Sequence, residues 1–164
     1  MEVTRSPRAI YQSQFKKQSP TMCEENLVQE ALGQICWLEV PVRDVPRAKA
    51  FYMELFGWEF VPEPQKAVGD CVKSMHFFNK GKTLHGAFLE HDEEYHVINN
   101  NPDKPGALPV LPTLCVLDCE ETLAKANAIG GKTAVPKTAI GGGMGYFARV
   151  IDTEGNMIGL WSQK

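Results

Sequence analysis

The sequence contains the same succession of predicted elements twice. Residues 35–60 read ICWLEVPVRDVPRAKAFYMELFGWEF, and residues 111–135 read LPTLCVLDCEETLAKANAIGGKTAV. Each stretch begins with a short apolar strand, continues with an Asp and a helix that carries an apolar stripe, and ends with a Gly and a second strand. Because repeated units bury their apolar faces against each other, this pattern predicts a fold built from two equivalent units.

The first unit starts with a predicted strand over residues 35–42. Alternation places Leu38 and Val40 on one face of this strand and Trp37 and Glu39 on the other. A helix follows, with an Asp at its N-cap and a Gly in the left-handed conformation at its end. Three further strands are predicted at about 58–63, 71–79 and 83–90.

The second unit repeats this order. A strand over 111–117 leads to a helix that Asp118 caps, and Gly130-Gly131 ends that helix. Its other strands are predicted at 132–136, 145–151 and 157–162. The sequence therefore predicts an α+β fold of two paired strand-helix-strand-strand-strand units.

The domain boundaries follow from the composition of the connecting segments. Residues 1–33 form a predicted N-terminal arm, in which an amphipathic helix covers 21–33. Residues 34–164 form one domain, with units over about 34–90 and 110–163. The polar, Asn- and Pro-rich stretch 91–109 is predicted to link them.

Charge and cysteine content exclude several classes of protein. A net charge of −3 disfavours a nucleic-acid-binding protein, which needs a basic surface. No apolar stretch approaches the roughly 20 residues of a membrane span. The 5 cysteines are odd in number and lack CxxC spacing, which indicates a reduced, cytoplasmic protein.

The segments EVPVRDVPRAKAFYMELFGWEF and YFARVIDTEGNMIGLW resemble the vicinal oxygen chelate superfamily, which includes glyoxalase I, extradiol dioxygenases and bleomycin-resistance proteins. The resemblance covers about residues 34–163. It implies that the two βαβββ units form a curved, mixed-sheet half-barrel around a cavity. In the enzymes of this superfamily the cavity usually holds a divalent metal.

The resemblance also implies where metal ligands would lie in this chain. The positions fall at Trp37 and Leu111 in the first strand of each unit, and near Gly86 and at Gly159 in the last strand. None of these side chains can bind a divalent ion, which needs imidazole, carboxylate or thiolate donors. We therefore expect no metal and no other cofactor, and we expect the two glycines to leave room in the cavity.

Strand alternation and the resemblance together predict the side chains that face the cavity. Most are apolar or aromatic, as is typical of small-molecule pockets. Leu84 and Phe88 are expected to contribute to the wall. The candidate substrate-binding residues are Trp37, Thr113, Tyr146, Arg149, Met157 and Trp161. Tyr146 and Arg149 lie three apart on one strand, so at most one of them is expected to point inward.

Glu39 is the leading catalytic candidate, because a carboxylate beside Trp37 in an apolar cavity would have a raised pKa suited to proton transfer. His76 is the second candidate. The predicted function is metal-independent acid/base chemistry, such as isomerisation, cyclisation, elimination or decarboxylation, on an aromatic or polyketide-like molecule. Three alternatives stay open. Glu39 pairs only with a structural cation such as Arg149, the protein sequesters its ligand without changing it, or large side chains fill the cavity.

The expected partners are a small-molecule ligand and a second copy of the chain. The apolar side of the predicted helix over 21–33 must dock on the chain's own sheet or on a partner subunit, because so short a helix is unstable alone. The resemblance implies a homodimer, because superfamily members with two units per chain often dimerise, and the predicted helix over 21–33 would serve that contact.

Overall fold

A computed structural model of the chain describes residues 32–35, 37–67, 71–104 and 106–164. Two units account for the described strands and α-helices, and they have the same element order except for the two-residue strand Gln65–Lys66, found only in the first; a 3₁₀ helix (Glu93–Tyr95) lies between the units. The first unit comprises β1 (Leu38–Val42), α1 (Val45–Phe56), β2 (Glu59–Phe60), β3 (Gln65–Lys66), β4 (Ser74–Lys80) and β5 (Leu84–Glu90). The second comprises β6 (Thr113–Cys115), α2 (Cys119–Ala128), β7 (Lys132–Ala139), β8 (Tyr146–Ile151) and β9 (Met157–Ser162).

Each unit forms its own mixed sheet. The first sheet has the order β1-β5-β4-β2, with β3 also paired to β4, and the second has the order β6-β9-β8-β7. The first strand of each unit runs parallel to the last one, and the other pairs are antiparallel. This is the predicted α+β fold of two βαβββ units in a half-barrel.

Local capping explains where both helices begin and end. The carboxylate of Asp44 accepts a hydrogen bond from the backbone of Arg47, and Gly57 ends α1 with φ 63°. Asp118 caps α2 by accepting hydrogen bonds from the backbone N–H groups of Glu120 and Glu121. The predicted helix over 21–33 lies outside the described residues except for Leu32 and Gly33.

One core lies between the helices and the sheet faces that they cover, and it joins the two units. Phe88, which alternation placed in the cavity wall, is instead fully buried in this core. It stands opposite Val40 in the parallel β1–β5 register, so both side chains face the helices. A smaller cluster on the other face of the first sheet contains Met75, Phe77 and Ala87, with Trp37, Val61, Ala67, Val72 and Leu89 packed against it.

The inner edges of the two sheets position the site. Among the described strands, β1 pairs only with β5 and β6 only with β9, so each is the edge strand of its sheet. Pro41 lies in β1 and Pro112 immediately precedes β6. Because proline has no N–H to donate, these edges are poorly suited to form a continuous ladder.

Candidate functional site

A cavity of about 450 Å³ lies where the edges of β1 and β6 approach each other. Its wall combines residues of both units with residues of the connecting segment. Leu38, Val40 and Pro41 line it from the first unit, and Leu111 and Ile158 from the second. Such an apolar junction between two units is a common place for a small-molecule site.

The polar side chains in this wall are mostly occupied by structural hydrogen bonds. The side-chain amide of Asn99 forms two hydrogen bonds with the backbone of Met157. Its oxygen accepts from the Met157 N–H at 2.6 Å, and its nitrogen donates to the Met157 carbonyl at 2.9 Å. The amide of Asn156 donates to the carbonyl of Pro41 at 3.1 Å, and Tyr52 donates its hydroxyl to Asp152. These side chains shape the cavity and have little remaining capacity for chemistry.

Glu39, Thr113 and Met157 are the predicted site residues that the structure brings together in the cavity wall. The carboxylate of Glu39 accepts a hydrogen bond from the indole Nε1 of Trp37 at 3.2 Å. The Glu39 side chain is exposed, so the structure does not show the poor solvation expected for it. Among the described residues, Glu39 forms no ion pair with Arg149, which was the alternative role.

Trp37 lies beside the cavity and contributes to the smaller core cluster. Its ring packs edge-on against Phe77, with centroids 5.8 Å apart and planes at 78°. This contact orients the indole, and the indole in turn orients the Glu39 carboxylate.

His76 lies on the helix-covered face of the first sheet and outside the cavity. It stands opposite Phe88 in the β4–β5 register. The hydroxyl of Ser74 donates to the Glu90 carboxylate at 2.5 Å, and the Ser74 oxygen lies 2.8 Å from Nε2 of His76. Burial lowers the pKa of His76, and the ammonium of Lys49 on α1 lowers it further, while Glu90 has the opposite effect. His76 is therefore placed for a structural contact with Ser74 and Glu90.

The three remaining candidates on β8 and β9 also lie outside the cavity. Tyr146 faces the helix side, where the Lys137 ammonium stands 4.7 Å from its ring centroid. Arg149 faces the other side, opposite Gly159, with its guanidinium 5.6 Å from the ring centroid of Phe147. Trp161 shares that side, and its indole donates to the carbonyl of Met144 at 2.9 Å. The opposite orientations of Tyr146 and Arg149 agree with their three-residue spacing.

Several wall residues had no clear signal in the sequence. Val97 and Asn99 belong to the segment 91–109, which the composition predicts only as a linker, and Val110 directly follows that segment. The hydrogen bonds of Asn99 to Met157 hold part of this segment against the start of β9. Tyr52 and Trp58 were predictable as helix-stripe or strand residues but not as parts of a cavity.

The family model for the glyoxalase/bleomycin resistance protein/dioxygenase superfamily matches residues 34–160. The chain belongs to this superfamily. No functionally curated protein matched the sequence. The superfamily fold accounts for the two paired units and for the mixed sheets described above.

Solved structures of the glyoxalase superfamily share this fold at low sequence identity. The fosfomycin resistance protein FosX from Listeria monocytogenes, complexed with Mn(II), is 15% identical over 79% of this chain and 90% of its own, with a TM-score of 0.57. The antibiotic binding protein TnmS3 from Streptomyces sp. CB03234 is 23% identical over 80% and 97%, with a TM-score of 0.54. Glyoxalase I from Zea mays is 16% identical over 79% and 46%, with a TM-score of 0.58.

The residues at the superfamily's metal-ligand positions do not fit a divalent ion. The indole nitrogen of Trp37 is a donor, and it is used in the hydrogen bond to Glu39. Leu111 has no donor atom that can bind a metal. Among the residues that the structure describes, no group of three or more His, Cys, Asp and Glu side chains could hold a metal ion.

Neither glycine at these positions leaves empty space, contrary to expectation. A Cβ on Gly86 would lie 2.0 Å from the carbonyl oxygen of Leu38 and 2.4 Å from the Phe78 ring, so this glycine faces the helix-covered core. A Cβ on Gly159 would lie 2.4 Å from the Thr113 hydroxyl. Each glycine allows a neighbouring group to approach the backbone closely.

No helix in the described part of the chain is long and apolar enough to cross a membrane.

Proposed function

We propose that this chain binds a small, largely apolar and aromatic molecule in the cavity between its two units. The observation that carries the proposal is the apolar wall contributed by both inner strands. A volume of about 450 Å³ suits such a ligand, because small-molecule sites typically measure about 300–1,000 Å³. Glu39 and Thr113 are the polar groups at the wall that could orient the ligand.

Binding without chemical change is the function that this geometry supports best. The side-chain nitrogens of Asn99 and Asn156 and the hydroxyl of Tyr52 donate hydrogen bonds within the protein, and the side-chain oxygen of Asn99 accepts one. A reaction would need several convergent groups, whereas an apolar enclosure is sufficient for sequestration. TnmS3, which shares the fold, is itself named an antibiotic binding protein.

The test is a titration of the full chain with 1,8-dihydroxyanthraquinone, a planar aromatic probe, followed by extraction and analysis of the bound molecule. We expect saturable binding of one probe per chain and recovery of unchanged probe. Leu111→Trp should weaken binding at least about tenfold, because the larger ring occupies the cavity. Leu108→Trp changes an exposed Leu outside this cavity and should leave the affinity unchanged. No saturable binding, or equal affinities for the two variants, would contradict the proposal.

A second candidate function is proton transfer by Glu39 on the bound molecule. The specific observation in its favour is that Glu39 lines the cavity with its carboxylate oriented by Trp37. The reaction class would be isomerisation, cyclisation, elimination or decarboxylation, without a metal. Turnover of a bound substrate should then be lost in Glu39→Gln and retained in Glu63→Gln, which changes an exposed carboxylate elsewhere. Unchanged turnover in Glu39→Gln would remove this candidate.

We also infer that the chain forms a homodimer. Ile35, Val97 and Val110 surround the cavity and are 86%, 74% and 98% exposed, an unusual cluster of large apolar side chains at a surface. Residues 21–33 carry the predicted amphipathic helix for the same contact. Sedimentation of the full chain should give a dimer, and a chain that starts at Gly33 should dissociate. An unchanged dimer in the shortened chain would assign the contact to the exposed cluster instead.

The proposed location is the cytoplasm. Cys71, Cys115 and Cys119 are free thiols in the structure, as is usual in a reducing compartment. A fluorescent fusion of the full chain, imaged in its native cell, tests this location.

A further inference from the structure

A second cavity, of about 670 Å³, adjoins the first on the helix-covered side of the junction. It lies between the end of α1 and the segment that joins β6 to α2. Leu55, Phe56, Val116 and Leu117 give it an apolar floor. Leu117 is 85% exposed, so an apolar side chain stands at the mouth of this cavity without a described cover.

The two cavities share part of their walls. Trp58, Leu84 and Leu114 line both of them, and we call these three side chains the waist. The Trp58 ring is rigid, because it stacks on Phe78 with centroids 4.2 Å apart and planes at 17°. Leu84 and Leu114 are only half-buried, and an aliphatic side chain of this kind can change rotamer at low cost.

Strands β1 and β6 both contribute to the first cavity, and β6 also contributes Leu114 to the waist. Leu38 and Pro41 line the first cavity from β1, and Thr113 and Leu114 line it from β6. Pro41 and Pro112 lack the N–H group that a β-ladder needs, so they disfavour hydrogen bonding between the edges of β1 and β6. The two cavities therefore adjoin at the junction, and the waist separates them.

We propose that the ligand is elongated: an aromatic group occupies the first cavity, and a linear apolar tail passes the waist into the second. This inference rests on the proposed function and specifies its ligand class. Three observations carry it. The waist consists of one aromatic and two aliphatic side chains, and the two volumes together exceed the usual size of a compact ligand site. Among the described residues, Glu39 is the one charged residue in the lining of the first cavity, whereas four line the second: Lys80, Asp118, Glu121 and Lys125. A straight tail passes the waist when Leu84 and Leu114 change rotamer, and its far end then meets polar groups and solvent.

The test uses the full chain and a series of 4-alkylphenols, from ethyl to decyl, with affinity measured by calorimetry. Each methylene that becomes buried should strengthen binding about fourfold. In the native chain we expect the affinity to keep rising after the first cavity is full. A series that stops improving at the length that fills the first cavity would overturn the inference.

Two variants that fill the waist test the route of the tail. In Leu84→Trp and Leu114→Phe, the gain in affinity from longer tails should disappear, whatever the affinity of the shortest 4-alkylphenol, because the larger rings close the waist. Leu89→Trp is the matched control, because Leu89 belongs to β5 but packs in the cluster on the opposite face. Thermal unfolding of each variant establishes that it is folded. The tail does not pass the waist if Leu89→Trp loses the gain in affinity with tail length to the same extent, or if both waist variants keep that gain.

The outcomes separate this inference from the proposed function. Binding of short phenols without any gain from longer tails would leave the first cavity as a binding site and refute the elongated ligand. Absence of binding by every member of the series, and by 1,8-dihydroxyanthraquinone, would refute both.

Discussion

Tyr52 donates its hydroxyl to the carboxylate of Asp152 at 2.7 Å, and this buried contact joins α1 of the first unit to the turn between β8 and β9 of the second. Asp152 also accepts hydrogen bonds from the backbone of Glu154 and Asn156. Burial raises the pKa of Asp152, although these hydrogen bonds counteract the effect. The contact fixes the relative position of the two units and therefore the shape of the cavity between them.

Tyr52→Phe should lower the free energy of unfolding by about 1.5–3 kcal/mol, because a hydrogen bond to a buried carboxylate is lost without a change in ring packing. Urea denaturation measures this difference. Tyr95→Phe removes a hydroxyl from a ring that is 47% exposed and should cost less than about 0.5 kcal/mol. Similar costs for the two variants would show that the Tyr52 contact does not hold the units together.

Glu154 forms a second connection between the units. Its side chain is fully buried and accepts hydrogen bonds from the backbone of Arg43 and Asp44 and from the guanidinium of Arg47. Burial alone would raise the pKa of Glu154, but the hydrogen bonds from Arg43, Arg47 and Asp44 together lower it below its usual value.

Glu154→Gln should lower the free energy of unfolding by about 2–3 kcal/mol. This is less than the full cost of breaking a buried ion pair, because the guanidinium of Arg47 is half-exposed and can be hydrated. The pKa of Glu154 is lower in the folded chain than in the unfolded chain. Its contribution to stability is therefore fully present above the unfolded-state pKa of about 4.3 and is lost as pH falls through the folded-state pKa. Glu93→Gln is the control, because Glu93 pairs with Arg43 but is 79% exposed, and its loss should cost at most about 1 kcal/mol. Denaturation curves at neutral and acidic pH distinguish the two variants, and equal costs at neutral pH would contradict the prediction.

The sequence determines the helix boundaries well, because caps act within one turn. Asp44, Gly57 and Asp118 have the roles that their residue types predict. Strand facing was also predictable within β1. It failed at Phe88, because the pairing of β5 with β1 and β4 sets which residues face the helices, and that register is not encoded in a single strand's pattern.

The candidate site was less predictable than the fold. Glu39, Thr113 and Met157 share a cavity because β1 and β6 are neighbouring edges, a relationship that the repeat makes plausible. Arg149 lies on β8, which strand order places one strand farther from that edge than β9. Trp161 shares β9 with Met157 but lies near the other end of the strand, opposite Cys115. Residue spacing alone carries no information about the linker folding back to supply Asn99.

Alanine substitutions at the two glycines in the superfamily's ligand positions should lower stability by different amounts. Gly86→Ala should destabilise by about 3 kcal/mol or more, because its Cβ would collide with the backbone oxygen of Leu38. Gly159→Ala should cost about 1–2 kcal/mol, since the colliding Thr113 side chain can rotate. Gly106→Ala meets nothing within 4 Å and should be nearly neutral or slightly stabilising. Thermal and urea unfolding of the three variants test this order, and a neutral Gly86→Ala would refute the close packing of β5 on β1.

His76 should make the stability of the fold depend on pH in the weakly acidic range. Ser74 and Glu90 contact its ring from β4 and β5, and Lys49 faces it from α1. Burial and Lys49 lower its pKa below the usual value of 6.5, so the folded state favours the neutral ring. Below that value the unfolded chain binds more protons, and stability is lost as pH falls from about 6.5 through the folded pKa.

His76→Gln should remove this loss of stability. The difference in unfolding free energy between about pH 7.5 and about pH 5.5 should be smaller in the variant than in the native chain, whatever the variant's overall stability. Met75→Leu, a non-titrating change in the same strand, should retain the native pH dependence. Urea denaturation at both pH values provides the measurement. An unchanged difference in His76→Gln would mean that other groups cause the acid sensitivity, and that the packing of His76 against Ser74 and Lys49 does not disfavour its charged form.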